Sequence, residues 1–286
     1  MSAVSALAAL ALMRRETELR VGPVARALDG RSVEPGHYRI NRDEFLLWTD
    51  TGLGFHYRRS CGVTLDQTAP VPAGEIELWH HGSVYAAIAA LNGLVPLHAS
   101  AVAHNGQVHA FAGPSGMGKS TLAAGLGRNG FPLFCDDTLL LDLSDPDAVW
   151  CLPGHKRLKL CSDALALTGA AAQEHVGVMI DKVYAQPLAG VIDSPLPLAA
   201  LTFLADGPNL GLRPVTGGEQ LSLLNDDHYT ADYVVLARGL DRAGRMAHLA
   251  GLAAVLPTGL LTRPRSNAAF ADGLAFVAAQ VRGRQP

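Results

Sequence analysis

The sequence predicts an α/β protein with a small β-rich lobe at its N-terminus. Three observations carry this prediction. Short β-prone runs interrupted by Gly and Pro extend from Val21 to Glu77. A strand-like run, Val108–Ala112, leads into a glycine-rich segment, and an Ala- and Leu-rich run, Ser120–Arg128, follows that segment. A strand, a glycine-rich loop and a helix in this order are typical of α/β domains that bind phosphate groups.

Composition limits the size and the partners of the protein. Of the 286 residues, 49% are hydrophobic, enough for the core of one large domain or of one domain with a small lobe. The net charge is −3 and no block of Lys and Arg is present, so nucleic acid is not an expected partner. The four cysteines show no C-x-x-C pair and no zinc-type spacing, which indicates reduced thiols in a cytoplasmic protein.

The N-terminal run Met1–Met13 is rich in Ala and Leu. Its positive charges, Arg14 and Arg15, follow the apolar part instead of preceding it, which is the reverse of the order in an export signal. The run is also too short to span a bilayer. We therefore predict a helix packed on the body of the protein and no membrane partner, with an interfacial role as the less favoured alternative.

The predicted elements up to the glycine-rich segment follow from local patterns. A small antiparallel sheet is expected from the runs Tyr38–Ile40, Phe45–Trp48 and Gly54–Tyr57. Ser83–Leu91 has helical spacing and ends at Asn92-Gly93, so we place the lobe at 1–93 and the core at 94–286. In the core, Leu97–Ala103 and Gln107–Ala112 predict a hairpin through Asn105-Gly106.

Further elements are predicted after the glycine-rich segment. Phe131–Cys135 reads as a buried strand that ends at two adjacent aspartates. The remaining predicted elements are a buried strand at Leu198–Leu204, a long helix at Arg238–Leu256, a last strand at Leu260–Pro264 and a terminal helix at Asn267–Val281.

The glycine-rich segment matches the phosphate-binding loop G-x-x-x-x-G-K-[ST] in full. Its nine residues are Gly113, Pro114, Ser115, Gly116, Met117, Gly118, Lys119, Ser120 and Thr121. The glycines allow the backbone N–H groups to turn towards a phosphate, Lys119 adds a positive charge, and the Ser120 hydroxyl suits Mg²⁺. The motif therefore predicts binding of ATP with Mg²⁺, and a glycine-rich turn without a ligand is the alternative.

Charged residues near this loop are further candidates. Asp136 and Asp137 follow a strand whose carboxyl end is expected beside the loop, where a helix cap or a turn is the alternative reading. Arg157 and Lys159 share one face if their segment is extended, either to neutralise phosphate charge and hold an acidic substrate or as a solvated strand face. Arg263 ends the last predicted strand and is a further candidate. The eleven histidines include no H-E-x-x-H or comparable helical pair, so no protein-held transition metal is predicted.

The runs Leu97–Ala103, GPSGMGKST and GFPLFCDD resemble the HPr kinase/phosphorylase family. The resemblance is greatest to the smaller related kinases that occur with lasso-peptide biosynthesis genes, and the nucleotide core is also similar to that of ATP-dependent phosphoenolpyruvate carboxykinases. It implies a P-loop kinase core in which Asp136 is the base, Asp137 holds Mg²⁺, and the two roles are open to exchange. It also implies that His98 approaches the reaction centre and that Lys182 reaches the phosphates, with a core histidine and a surface lysine as the alternatives.

The resemblance predicts an ATP-dependent kinase that phosphorylates a serine hydroxyl of a peptide or protein, in particular a lasso-type precursor peptide. The family's glycine-rich segment with an acidic residue has no convincing equivalent between Trp150 and Leu167, so the sequence leaves phosphate-driven dephosphorylation open. Full-length relatives form rings, so a homo-oligomer is compatible with the resemblance. Two alternatives are a non-catalytic ATP-binding regulatory protein and a carboxykinase-like small-molecule phosphotransferase.

Overall fold

Two sheets of different size organise the chain in the computed structural model. The structure describes residues 2–68, 70–177, 180–225 and 229–283. The N-terminal elements are α1 (Ser2–Glu16), β1 (Leu19–Val21), β2 (Ala27–Leu28), β3 (Arg31–Ser32), β4 (His37–Ile40), β5 (Glu44–Trp48), β6 (Leu53–Arg58) and β7 (Gly62–Gln67). They form a five-stranded sheet of order β1-β7-β6-β5-β4 and a small β2-β3 pair. The predicted antiparallel strands are confirmed, and β1 adds a parallel edge beside β7.

A single helical stretch joins the two sheets. It consists of α2 (Ala73–Trp79), a π-helical turn (His80–Val84) and α3 (Tyr85–Leu91). The sequence pattern predicted only the second half, because the first half follows Pro70 and Pro72 and has few of the regularly spaced apolar residues that indicate a helix. A π-helical turn inserts an extra residue into the helix and is frequent at functional sites.

The large sheet contains most of the remaining strands. The elements that follow are β8 (Val95–Leu97), β9 (Ala99–His104), β10 (Gln107–Ala112), α4 (Lys119–Arg128), β11 (Leu133–Cys135), β12 (Leu139–Asp142), β13 (Trp150–Leu152), β14 (Leu158–Leu160), α5 (Ser162–Thr168), β15 (Ala172–Gly177), β16 (Ile180–Ala185), β17 (Leu196–Asp206), β18 (Gly211–Pro214), α6 (Gly217–Leu224), α7 (Tyr229–Arg238), α8 (Arg242–Val255), β19 (Thr258–Arg263) and α9 (Phe270–Val281). The sheet runs β11-β9-β10-β17-β13-β12-β8, with β19 beside β17 and β18 beside β19. Strands β14, β16 and β15 form a separate three-stranded sheet.

The hairpin that enters the glycine-rich loop is confirmed. Strands β9 and β10 pair antiparallel, and both Asn105 and Gly106 have positive φ, as a tight two-residue hairpin turn requires. Beyond the hairpin, β10 is parallel to β17, and β17 is parallel to β19. The carboxyl ends of these three strands therefore lie at one edge of the sheet, where ligands bind in many α/β proteins.

The large sheet carries apolar helices on both faces. One face contacts α8 through residues such as Leu249 and Leu252, and the other contacts α4 and α9 through Leu122 and Val277. A third apolar cluster joins α1, the N-terminal sheet, α3 and α7, so it contains residues from both sides of the boundary predicted near Gly93. No helix in the described ranges is both long enough and apolar enough to cross a membrane.

The long helix predicted at Arg238–Leu256 is present as α8 (Arg242–Val255), but its start was predicted too early. Helix α7 ends at Arg238, Gly239 has a φ of +60°, and α8 begins anew at Arg242. The Asp241 side chain accepts a hydrogen bond from the backbone N–H of Gly244 at 2.7 Å. This N-cap and the left-handed glycine outweigh the helix-forming residues around them.

Candidate active site

The glycine-rich loop connects the end of β10 to the start of α4. Gly113, Gly116 and Gly118 have φ values of +134°, +84° and +79°, a region that favours glycine. A Cβ on Gly113 would lie 3.2 Å from the Leu204 carbonyl oxygen, and one on Gly118 would lie 3.0 Å from Arg263 Nη2. The loop therefore needs glycine both for its backbone shape and for its close packing. Because α4 starts at Lys119, its free N–H groups point into the same region.

Lys119 is held inside the loop. Its side chain is only 6% exposed, and Nζ donates hydrogen bonds to the Gly113 carbonyl at 2.7 Å and to the Pro114 carbonyl at 3.1 Å. These bonds keep a positive charge at the start of α4, where the helix dipole also favours an anion.

Two arginines at the end of β19 hold the other side of the loop: Arg263 is its last residue, and Arg265 lies two residues later. Arg263 Nη2 donates to the Met117 carbonyl at 2.6 Å, and Arg265 Nη2 donates to the Gly116 carbonyl at 3.0 Å. Burial lowers the pKa of Arg263, and its Nε has no hydrogen-bond partner in the described part of the chain. Arg265 also lies 3.5 Å from Asp206 Oδ2. Arg263, predicted as a site residue, thus supports the loop, and sequence reasoning missed Arg265.

A cavity of about 150 Å³, here called the loop cavity, opens over the start of α4. Its lining residues are His98, Ser100, Ser115, Gly116, Gly118, Lys119, Ser120, Thr121, Asp137, Lys159, Cys161 and Lys182. Most of the residues predicted for the site meet there. Ser100 was missed, although it lies two residues after His98 and the two side chains share a face in an extended chain. Cys161 was missed too, and no sequence signal points to it.

Asp137 lies at the centre of the charged part of this cavity. Its φ is +74°, which is uncommon for a residue other than glycine and is a kind of strain found at functional sites. Its Oδ2 lies 2.7 Å from Lys159 Nζ. His98 Nδ1 lies 3.8 Å from Oδ1 and 3.1 Å from the Asp137 carbonyl oxygen, to which it can only donate. Lys159 therefore holds the Asp137 carboxylate, whereas His98 holds the backbone of the same residue.

Asp136 has a different environment. Its side chain is fully buried and does not line the loop cavity. Oδ1 accepts a hydrogen bond from Ser100 Oγ at 2.5 Å, and Oδ2 accepts one from the backbone N–H of Lys159 at 2.9 Å. Both oxygens thus hold neighbouring strands in place. The assignment of the base to Asp136 stays a prediction, and the geometry favours Asp137.

The predicted basic residues divide between two places. Lys159 and Lys182 line the loop cavity, whereas Arg157 does not. Arg157 forms ion pairs with Glu77 and, at 2.8 Å, with Glu174, and its guanidinium lies 4.1 Å over the Tyr184 ring. These partners hold Arg157 away from the loop cavity. It therefore does not lie where a residue that neutralises phosphate charge was predicted.

The loop cavity suits a polyphosphate with a hard divalent cation. Three lysines, the amide groups at the start of α4 and the Ser120 hydroxyl supply positive charge and donors. The hydroxyl of Ser120 and the carboxylate of Asp137 are oxygen ligands of the kind that Mg²⁺ takes. Gly113 and Gly118 lie close to neighbouring atoms and have no side chain. The loop backbone is therefore not covered and a ligand can reach it.

Comparisons with known proteins find similarity at the level of structure. No protein-family model matches the sequence, and no curated protein matches it. Among solved structures, the Hpr(Ser) kinase/phosphatase from Coxiella burnetii is similar, with 14% sequence identity and a TM-score of 0.35. The match covers 66% of this chain and 94% of that one. A similarity of this size assigns no activity, so the functional argument depends on the residues of the loop cavity.

Proposed function

We propose that this protein is an ATP-dependent kinase that transfers the γ-phosphoryl group to a serine hydroxyl of a peptide or protein. One observation carries the proposal: a complete phosphate-loop motif, a carboxylate and two further lysines converge on one cavity. Phosphoryl transfer requires alignment of the reactants, neutralisation of charge and a base, and these residues offer all three.

The nine loop residues, Gly113 to Thr121, are the proposed ATP site. The amide groups and Lys119 would bind the β- and γ-phosphates, and Lys159 and Lys182 line the same cavity. Mg²⁺, when bound with ATP, would neutralise negative charge on the phosphate oxygens, and Ser120 is its proposed protein ligand.

Asp137 is the proposed general base. It lines the loop cavity, whereas Asp136 is buried beneath it. As the serine oxygen bonds to the γ-phosphorus, the bond from that phosphorus to the β–γ bridging oxygen breaks and Asp137 accepts the hydroxyl proton. Lys159 holds the carboxylate for this step, and His98 holds the backbone of Asp137. Asp136 is then a positioning residue that fixes Ser100 and the backbone of Lys159.

The acceptor is the least constrained part of the proposal. The resemblance of the sequence to the smaller HPr-kinase-like enzymes supports a lasso-type precursor peptide, with its serine hydroxyl at Asp137. The loop cavity itself supports a hydroxyl acceptor next to the phosphates and is compatible with a peptide or a folded protein.

Intact-mass measurement after incubation with Mg-ATP and candidate peptides tests the proposal. The wild-type protein should add phosphate to an acceptor, and Lys119→Ala should abolish this. Asp137→Asn should lower turnover by roughly a hundredfold or more while ATP still binds, because the base is lost. Asp136→Asn should keep most of its turnover, since an amide can retain both hydrogen bonds of the buried carboxylate. Asp181→Asn, at an exposed position beside Lys182, is the matched control.

The outcomes separate the alternatives. If Asp136→Asn loses turnover and Asp137→Asn does not, the base is Asp136 and the proposed exchange of roles is wrong. ATP binding without transfer to any acceptor would instead favour a regulatory protein. Transfer to an organic acid alone would favour a carboxykinase-like enzyme.

A further inference from the structure

A second polar cluster lies outside the loop cavity. Glu77, His81 and His155, here called the histidine cluster, place a carboxylate oxygen and two imidazole nitrogens within 4.8 Å of one another. The cluster borders a separate cavity of about 380 Å³ between α1 and the segment after β13. None of its residues lines the loop cavity, so the proposed kinase chemistry leaves the cluster without a function.

Local structure brings the three side chains together from two parts of the chain. Glu77 is in α2 and His81 is four residues later in the π-helical turn, so both lie on one side of the helical stretch. His155 follows Gly154, where a Cβ would lie 2.7 Å from the Thr138 carbonyl oxygen and 2.8 Å from Cys135 Cβ. Only glycine allows the chain to pass this close, and this approach puts His155 against the helix.

The polar atoms of the cluster are only partly satisfied. His155 Nε2 lies 2.5 Å from Glu77 Oε1, a hydrogen bond that shares one proton. The His81 ring stacks on that of His155 with centroids 4.7 Å apart. Across the described ranges, neither ring nitrogen of His81 has a hydrogen bond, although the ring is mostly buried. A neutral imidazole ring has a lone pair on one of its nitrogens, which is the atom that binds a metal ion.

We propose that Glu77, His81 and His155 bind one divalent transition-metal ion, for which Zn²⁺ is the best match. Two imidazoles and one carboxylate form a common zinc donor set. On binding, the metal takes the place of the proton between Glu77 and His155, and the neutral His155 ring then carries its proton on Nδ1. Ligand atoms around tetrahedral zinc are roughly 3.3 Å apart, so small side-chain rotations close the cluster. The adjoining cavity has room for water as a fourth ligand.

The surrounding charges fit this assignment. Arg157 binds the second oxygen of Glu77, which orients the carboxylate and leaves Oε1 for the metal. Lys156, the other nearby cation of the segment, points away: its Nζ donates to the carbonyls of Phe134 and Ile192 and lies 3.8 Å from Asp193. The oxygen atoms that bind Arg157 and Lys156 offset part of the repulsion between these two cations and a divalent metal ion.

The proposed metal also bears on the loop cavity through the segment 154–159. The His155 carbonyl accepts a hydrogen bond from the backbone N–H of Asp136 at 3.1 Å. Further along, the Lys159 N–H donates to the Asp136 carboxylate. A metal bound at His155 would thus fix the segment on which the aspartate turn depends, and metal binding should raise the thermal stability of the protein.

Titration of untagged, chelator-treated protein with Zn²⁺ and with Co²⁺, in the absence of nucleotide, tests the proposal. One equivalent of Zn²⁺ per chain should remain bound after gel filtration, and Co²⁺ should give the visible absorption of a tetrahedral site. His81→Ala and Glu77→Gln should each weaken binding by roughly tenfold to a hundredfold or more. His80→Ala is the matched control, because His80 Nε2 already contacts the Thr17 carbonyl at 2.9 Å. Its affinity should equal that of the wild type.

A ligand exchange keeps the test valid if the alanine variant folds poorly. His81→Cys should retain Co²⁺ and add a near-ultraviolet sulfur-to-metal charge-transfer band, which arises only if position 81 coordinates. Failure of the wild type to retain stoichiometric metal would overturn the proposal, as would equal losses in His80→Ala and His81→Ala. Loss in Ser120→Ala instead of His81→Ala would overturn it too, since the metal would then lie in the loop cavity. None of these outcomes depends on kinase activity.

Discussion

At the scale of single residues, Asp136 and Asp137 show how neighbouring identical side chains acquire different roles. The positive φ of Asp137 turns the chain, so that one carboxylate is buried beneath β9 and β14 and the next faces the loop cavity. A buried carboxylate with two donors is costly to remove, because those donors are then left unpaired. When a partly exposed carboxylate is removed, water can take its place as the partner of the groups that it bound, which lowers the cost.

This contrast predicts different stabilities for two alanine variants. Asp136→Ala should lower the free energy of unfolding by about 2–4 kcal/mol, because Ser100 Oγ and the Lys159 N–H lose their acceptor. Asp137→Ala should lower it by about 1–2 kcal/mol, since its side chain is 20% exposed and water in the loop cavity can solvate the Lys159 ammonium that loses its partner. Urea denaturation measures both. Equal losses would mean that the two aspartates share one environment.

Two glycines with similar backbone angles allow a second comparison. Gly118 has a φ of +79° and a Cβ there would lie 3.0 Å from Arg263 Nη2, whereas Gly130 has a φ of +83° and open space around it. Gly118→Ala and Gly130→Ala should each cost about 1 kcal/mol of stability because alanine disfavours this conformation. Only Gly118→Ala should also weaken Mg-ATP binding, by an expected tenfold or more in calorimetric titration. Weaker binding in Gly130→Ala would assign the effect to strain alone.

At the scale of elements, α1 is held to the N-terminal sheet by its last residue. Glu16 is 1% exposed and accepts hydrogen bonds from Tyr57 Oη and from the Ser60 N–H, both at 2.8 Å. Glu18, two residues later, pairs with Arg20 at the surface. Glutamate is therefore a buried structural residue at position 16 and a solvent-exposed residue at position 18.

The expected result is a large effect of one substitution and a small effect of the other. Glu16→Gln should cost about 1–3 kcal/mol, because an uncharged amide oxygen accepts these bonds more weakly and the amide NH₂ group replaces the oxygen that binds Arg15. Glu18→Gln should change stability by no more than about 0.5 kcal/mol, as for other exposed ion pairs. Thermal unfolding of the two variants provides the measurement. A small effect at Glu16 would show that apolar contacts alone hold α1.

Elements with strong local signals were predictable, and elements set by distant contacts were not. The β9–β10 hairpin, the glycine-rich loop and α4 follow from Asn105-Gly106 and from the motif itself. The start of the long helix α8 was predicted too early because the run of Ala and Leu concealed the stop at Gly239 and the cap at Asp241. The π-helical turn has no comparable sequence signal.

At the scale of the whole molecule, long-range contacts complete both candidate sites. Arg263 and Arg265 reach the loop from more than a hundred residues away because β10, β17 and β19 are parallel neighbours. Glu77 and His155 likewise meet across 78 positions. The spacing of residues in the sequence does not reveal these contacts. The eleven histidines therefore suggested no metal site, although the fold brings two of them together.

Several partly buried histidines make the stability of the molecule depend on pH. Burial lowers the pKa of His80, His81, His109 and His248, and it lowers that of His109 to about 4, with a further contribution from His104. An unfolded histidine has a pKa of about 6.5. Below pH 6.5 the unfolded chain therefore binds more protons than the folded one, so this stability is full above pH 6.5 and declines as the pH falls towards 4.

His109 isolates this effect because it lies in β10, away from the histidine cluster and the loop cavity. Between pH 7 and pH 5 its protonation should cost the wild type on the order of 1–2 kcal/mol of unfolding free energy. His109→Gln should remove that part of the slope and leave the remainder, which comes from the other three histidines. Urea denaturation at pH 5, 6 and 7 with a chelator present compares the two proteins without bound metal. If their slopes are the same, His109 is as easily protonated in the folded protein as in the unfolded chain, and its burial in the sheet has no energetic cost.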